Sequence, residues 1–414
     1  MGLTMSQRKA VTRATARRYQ SGSRAGKAKV LDELCELTRW HRDHARRALR
    51  EALGPQRVPA PRKARAPVYG EDVMVALAKV WAVMDAPAGK RMAPFLPEIV
   101  GRLRAFGELD LDDAQAAMLC AMSAATIDRR MAGRRKQLAL KGRSGTKPGS
   151  LLKSQIPIRT WAQWDEKAPG FVEIDLVGHE GGDAHGEYAQ TLTVTDVFTG
   201  WTETKAVRNK AQKWVFAALV DLRGGFPFPI RGIDSDNGSE FINSHLLRYC
   251  QEEEITFTRS RSGNKNDGAF VEQKNWSVVR RAVGYHRYDT GAELELLNAI
   301  YALLRLQTNF FTPQQKLLEK HRHGAKVTKR YDTAKTPYQR VLADTRVSQE
   351  IKDSLGRRYE QLNPAQIRRE ITALQDQLLT LVRAKHPPTR LPVKAPPARR
   401  ASTGEATKTR RRAS

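Results

Sequence analysis

Three carboxylates, Asp175, Asp236 and Glu272, are the residues whose types and spacing can do chemistry in this chain. Asp175 lies in an apolar, strand-like run over 171–177, and Asp236 closes a second such run just before the turn-forming pair Asn237-Gly238. Glu272 opens a helical segment after a glycine- and asparagine-bearing loop, with 35 residues between it and Asp236. Ionised carboxylates are hard oxygen ligands that suit Mg²⁺ or Mn²⁺. Three of them, brought from three elements to one point, can hold two such ions, and a metal pair roughly 4 Å apart serves in-line phosphoryl transfer. The formal net charge of +28 attracts phosphate backbones. Together these features point to an enzyme that cuts or joins nucleic acid.

The elements that must position these acids read as a mixed sheet with helices on its faces. Strands are expected over 171–177, 188–197, 201–207, 230–234 and 255–258. Helices are expected over 211–222, 240–252 and about 268–283, an order β-β-β-α-β-α-β-α. Alternation along the first strand puts Glu173 and Asp175 on one face and Val172, Ile174 and Leu176 on the other. Asp236 stands where its strand gives way to a turn, the place where open α/β sheets bind ligands. Asp234, two residues deeper on the same face, is its rival.

The motif Ser235-Asp236-Asn237-Gly238-Ser239-Glu240-Phe241, followed at that spacing by Glu272-Gln273-Lys274-Asn275, resembles the catalytic core of retroviral integrases. It resembles still more closely bacterial insertion-sequence transposases of the DDE type that carry this core. The likeness covers residues 165 to 320 well and the flanks loosely. It implies a ribonuclease-H-like fold, with Asp175, Asp236 and Glu272 as catalytic residues and as ligands of two Mg²⁺ or Mn²⁺ ions. It implies double-stranded DNA, as element ends and as target, for a partner, and a homodimer or larger oligomer on that DNA. A bacterial, cytoplasmic, nucleoid-associated protein follows from the same resemblance. His179, four residues after Asp175, and Asn237 are possible auxiliaries. Glu240 reads as a charge at the start of its helix. The histidine/cysteine zinc module of retroviral integrases is absent, since no CxxC pair exists. Cys35, Cys120 and Cys250 are odd in number and far apart, which fits a reducing compartment.

The chain reads as multidomain: N-terminal all-α helix-turn-helix units, an α/β ribonuclease-H-like catalytic core, and a small basic C-terminal region. Residues 1–66 are expected to form a helix-turn-helix domain with its linker. Val30, Leu31, Leu34 and Leu37 give one apolar face, Thr38 caps the next helix over 39–53, and Arg39, Arg42, Arg46 and Arg47 face DNA. Residues 67–150 are expected to be a second helical DNA-binding domain with Arg129 and Arg130 on its last helix, followed by a basic linker. The core then spans 160–320. Residues 321–385 are an accessory region whose helix carries Ile367, Ile371, Leu374, Leu378 and Leu381 at alternating spacings of four and three, which suits a short coiled coil or packing within its own domain. Residues 386–414 read as a disordered basic tail. Lys274, Arg280 and Arg281, which follow Glu272, are expected to grip the DNA backbone. No stretch approaches the roughly 20 apolar residues of a membrane-spanning helix.

Two other readings fit the same residues. One is a metal-dependent nuclease on this fold that cuts without joining. The other is a DNA-binding regulator with an inactive core.

Overall fold

The computed structural model of the chain describes residues 3–54, 68–137, 168–236, 238, 240–241, 243–259 and 269–385. The expected basic linkers, the loop before Glu272, the C-terminal tail and Asn237 lie outside the described residues. The chain divides into two compact units, Met1–Val68 and Tyr69–Ser414.

The first unit is three helices, α1 (Met5–Ser21), α2 (Arg24–Thr38) and α3 (Arg42–Glu51). Ala16, Val30, Leu31, Leu34, Ala45 and Leu49 form its core. Thr38 does not cap the following helix. It ends α2, buried, with its hydroxyl donating to Leu34 O at 2.6 Å. Arg39 then takes a left-handed conformation (φ 58°), and the cap of α3 is His41, whose Nδ1 accepts the Asp43 N–H. Arg39, Trp40 and His41, which periodicity assigned to the start of this helix, are therefore outside it. Leu37 is 56% exposed rather than part of the core face.

The second unit begins with α4 (Glu71–Val83), α5 (Gly89–Met92), a 3₁₀ turn (Ala93–Phe95), α6 (Leu96–Ala105), α7 (Asp113–Cys120) and α8 (Ala124–Gln137). Next come β1 (Phe171–Gly178), β2 (Gln190–Asp196), β3 (Thr202–Val207), α9 (Gln212–Arg223), β4 (Gly232–Ser235), α10 (Ser244–Glu252) and β5 (Thr256–Arg259). A long helix follows as α11 (Ala269–Lys274), a π-helical stretch (Asn275–Arg280) and α12 (Arg281–Val283). The unit ends with α13 (Gly291–Phe311), β6 (Leu317–His323), β7 (Lys326–Tyr331), α14 (Pro337–Ala343), α15 (Gln349–Gln361) and α16 (Pro364–Lys385).

The sheet order is β3-β2-β1-β4-β5, with β1–β2–β3 antiparallel and β4 and β5 parallel to β1. The expected order of strands and helices is present. The helix after β4 starts at Ser244 rather than at Glu240, because Asn243 supplies the cap by accepting the Leu246 N–H at 2.9 Å.

One hydrophobic core runs from α4–α8 through the sheet to α13 and α16, so the regions expected as separate domains over 67–385 share a single interior. Polar bolts fix the helical region to the C-terminal helices. Arg369 donates to both Glu108 oxygens (2.9 and 2.7 Å), and the Arg102 guanidinium sits 3.9 Å from the Tyr359 ring. Helix α16 buries Ile367, Ile371 and Leu378 and packs on α13, so the period that suited a coiled coil belongs to packing within the unit.

Candidate active site

The parallel register of β1 and β4 explains how the first two acids meet. Ile174 pairs with Ser235 in the last rung of that ladder. The next residues along the chain are Asp175, still within β1, and Asp236, just past the end of β4, so the two carboxylates lie on neighbouring strands at the same level. Asp234, the rival, is buried and its Oδ1 accepts the Thr258 hydroxyl at 2.6 Å, which commits it to the sheet interior.

Glu272 is brought to the same place by a residue outside the expected triad. Glu173 shares the face of Asp175 and is 1% exposed. Its Oε2 accepts the backbone N–H groups of Phe270 (2.9 Å) and Val271 (3.1 Å), in the first turn of α11. A carboxylate there satisfies two of the free amides of a helix N-terminus and suits its positive end. The strand that carries Asp175 thus holds the helix that carries Glu272.

Burial, then the charge of Asp236, and more weakly that of Glu272, push the Asp175 carboxyl up to about 7. The Leu176 N–H (2.8 Å, to Oδ1) and the Asn275 side-chain amide (2.6 Å, to Oδ2) pull the other way. Asp236 is also raised, chiefly by burial, against the Gly238 N–H that donates to its Oδ1 at 2.9 Å. A Cβ at Gly238 would stand 2.7 Å from the Glu240 carboxyl and 2.9 Å from that same Asp236 oxygen, so those side chains would have to shift.

Among the described residues, no three His, Cys, Asp or Glu side chains stand at metal-ligand spacing. The donor chemistry nonetheless fits a divalent cation. All three acids offer hard oxygens, the repulsion that raises Asp175 is the kind a cation relieves, and Asn275 Oδ1, buried beside them, has no hydrogen-bond partner among the described residues.

The basic residues after Glu272 are not where they were expected. Lys274 is buried, and desolvation, aided by the positive charges of Arg91, Arg340 and Lys316, lowers its ammonium to about 7. Arg280 is buried under β1, donating to Gly178 O (2.7 Å) and Gly284 O (3.3 Å). Arg281 donates to Asp85 O (2.7 Å) and pairs with Asp85 Oδ2 (3.0 Å). Lys274 precedes the wider π turn over Asn275–Arg280, and within that turn Val278, Val279 and Arg280 are buried.

His179 is likewise interior. Its Nε2 lies 2.7 Å from the Thr191 hydroxyl, its Nδ1 has no partner among the described residues, and burial drives its pKa down to about 3. It is a buried histidine bonded to β2, the strand next to the one it follows. Arg129 and Arg130 are exposed on α8. On α3, Arg46 pairs with Asp43 (2.7 Å), Arg47 lies 3.9 Å from Glu51, and Arg42 pairs with Asp32 of α2.

Sequence reasoning missed the roles of Glu173 and Asn275. The signals were available. Glu173 alternates onto the face of Asp175, and Asn275 follows Glu272 by three residues, one helical turn on.

A mixed five-stranded sheet with an acid inside β1 set beside one just past the end of the parallel β4, and a third acid on a helix pinned to β1, defines an integrase-type core. The family model "Integrase core domain" matches residues 165–265. The uncharacterized protein y4rM of Sinorhizobium fredii is 38% identical over 340 residues, covering 82% of this chain and 96% of that protein. Among solved structures, the catalytic core of BIV integrase matches 46% of this chain and 99% of that one, at 15% identity and TM-score 0.29. The magnesium complex of the dimeric HTLV-2 integrase catalytic core matches 35% of this chain and 90% of that one, at 13% identity and TM-score 0.27. The chain belongs to the family of the rhizobial protein, DDE-type integrase-like transposases.

Proposed function

We propose that the protein is a DNA transposase that binds the ends of its mobile element, cleaves them and joins them to target DNA. The observation that carries this reading is the β1–β4 register, which sets Asp236 beside Asp175 on the strand that also holds the helix of Glu272. Asp175, Asp236 and Glu272 are the residues that would hold two Mg²⁺ or Mn²⁺ ions. When bound, the ions supply activation of the attacking oxygen and neutralisation of charge on the phosphate.

The chain's own groups do the rest. Asn275 fixes one oxygen of Asp175 and leaves its carboxylate a defined orientation. Glu173 keeps Glu272 from swinging away with its helix. In the first step water adds to phosphorus at the element end and a 3′-oxygen leaves. In the second, that 3′-hydroxyl adds to a target phosphodiester and displaces another 3′-oxygen. Each step makes one P–O bond and breaks one, so no covalent protein–DNA intermediate is needed.

The three-helix unit, with Arg39, Arg42, Arg46 and Arg47, and helix α8, with Arg129 and Arg130, are assigned to recognition of the ends in the manner of helix-turn-helix modules. Joining two ends calls for a dimer or larger assembly on DNA. No helix among the described residues is long and apolar enough to cross a membrane, and a nucleoid-associated, cytoplasmic site of action belongs to this reading.

The experiment is cleavage and joining of the flanking element DNA with Mg²⁺ or Mn²⁺, comparing wild type with Glu272→Gln. Metal-dependent nicks and joined products, both lost in the variant while DNA binding stays, are expected. Cleavage retained by Glu272→Gln would overturn the assignment.

A further inference from the structure

The two strands β6 and β7 form a ribbon apart from the main sheet. Nearly every residue in it is exposed, Val327 being half-buried. A lone two-stranded hairpin without a core is marginal in water. This one is closed by a two-residue turn with Gly324 in the left-handed region (φ 58°) and locked at its base. There Gln314 and Lys335 exchange backbone hydrogen bonds (2.9 and 3.1 Å), and Asp332 accepts from the Lys316 N–H (2.6 Å) and from Arg340 (2.7 Å). The ribbon is thus a rigidly rooted arm with no hydrophobic reason to stand where it does.

Its acid and three of its cations lie on opposite faces. The register sets Lys320 opposite Lys329 and Arg322 opposite Val327. Strand alternation therefore gathers Lys320, Arg322 and Lys329 on one side; the other carries Lys326 and Glu319, the ribbon's acid, which is taken by Arg330 at 3.0 Å. The side chains of Lys320, Arg322 and Lys329 have no ion-pair or hydrogen-bond partner among the described residues. Two like charges directly opposite each other destabilise a strand pair. The face therefore carries like charges without a counter-charge and is complementary to a row of negative charges. A two-stranded ribbon is also of a size that the major groove of DNA admits.

We propose that the ribbon is a DNA-contacting arm whose Lys320, Arg322 and Lys329 face lies on the phosphate backbone of duplex DNA. This rests on the transposase reading and extends it, since the arm belongs to neither the carboxylate site nor the helical regions assigned to end recognition. Contacts of this kind add affinity and orientation without sequence preference.

The test is binding of the full chain to a fluorescently labelled DNA duplex without metal, across a KCl titration. Each lost phosphate contact makes the slope of log K against log salt shallower by about 0.9, so the combined variant Lys320→Gln, Arg322→Gln, Lys329→Gln should lose about 2–3 from it. A second variant guards against a folding artefact. Lys320→Glu puts an acid opposite Lys329, so its unfolding temperature should equal or exceed that of wild type while its DNA affinity falls. If wild type binds with a steep salt slope and the triple variant keeps that slope, the arm is refuted and the transposase reading stands. If Lys320→Glu binds as tightly as wild type, the arm is likewise refuted. If wild type shows no salt-dependent binding to duplex at all, both fall together.

Discussion

Asn275 donates its side-chain amide to Asp175 Oδ2 across 2.6 Å, tying the helix of the third acid to the strand of the first. The bond favours the ionised carboxylate, against the burial and the neighbouring charges that favour the protonated one. Hydrogen bonds to charged groups contribute about 1.5–3 kcal/mol. Asn275→Ala should therefore move the Asp175 titration further upward and cost tenfold or more in metal-dependent cleavage near neutral pH, with part of the loss regained in more alkaline buffer. A pH–rate profile of the variant checks this. A uniform loss with no alkaline displacement would assign Asn275 to packing alone.

Glu173 acts on Glu272 through the backbone rather than by touching substrate. Glu173→Ala leaves the N–H groups of Phe270 and Val271 without their acceptor, at about 1–3 kcal/mol each if they stay buried. Glu173→Gln keeps an acceptor oxygen and loses the charge. Cleavage should fall in the order wild type, Gln, Ala, and the concentration of Mn²⁺ needed for half-maximal rate should rise in the same order. Thermal unfolding measured alongside separates the two effects. Equal metal requirements in all three proteins would show that the clamp serves stability and not the site.

The interior position of His179 makes a contrasting prediction. His179→Gln disturbs a buried bond to Thr191 and should lower stability by about 1–3 kcal/mol. At a temperature where the variant is folded, its cleavage rate should stay within a few-fold of wild type. A rate collapse with an unchanged unfolding temperature would restore a direct catalytic role for the imidazole.

Much of this architecture was legible in the residues. Period-two runs gave the strands, and the Asp-Asn-Gly sequence marked the end of β4. Charge was the misleading signal. Lys274, Arg280 and Arg281 look like solvent-facing cations by type, and nothing in a 3.6-residue period announces the π stretch over Asn275–Arg280 or the Asp85 partner nearly two hundred residues earlier. Arg39 misled for a different reason. A left-handed arginine is rare enough that a helix start was the better guess, and only the His41 cap moves it one turn later. Local pattern thus reads elements well. Whether a cation ends in the core or in water is decided by distant parts of the chain.

The last prediction concerns pH and metal together. The Asp175 carboxyl titrates near 7 in the folded chain, against an ordinary value of 3.8, because burial and then Asp236 disfavour its charge. A raised acid binds its proton more tightly folded than unfolded. Its contribution to stability is therefore full below about 4, falls as pH rises, and is lost above about 7. Asp236 and the buried Asp196, the latter raised to about 6, act with the same sign. A divalent cation needs the ionised carboxylates, so it must displace a proton below that range and need not above it. The thermal stabilisation by Mg²⁺ should then be larger at about pH 8 than at about pH 6. Without metal, Asp175→Asn should be more stable than wild type at the higher pH and closer to it at the lower, since the amide carries no charge to bury. Unfolding curves of both proteins at the two pH values, with and without Mg²⁺, measure all of this. An Mg²⁺ shift of equal size at both, or a metal-free wild type that gains on Asp175→Asn as pH rises, would mean that Asp175 does not sit among the acids as described.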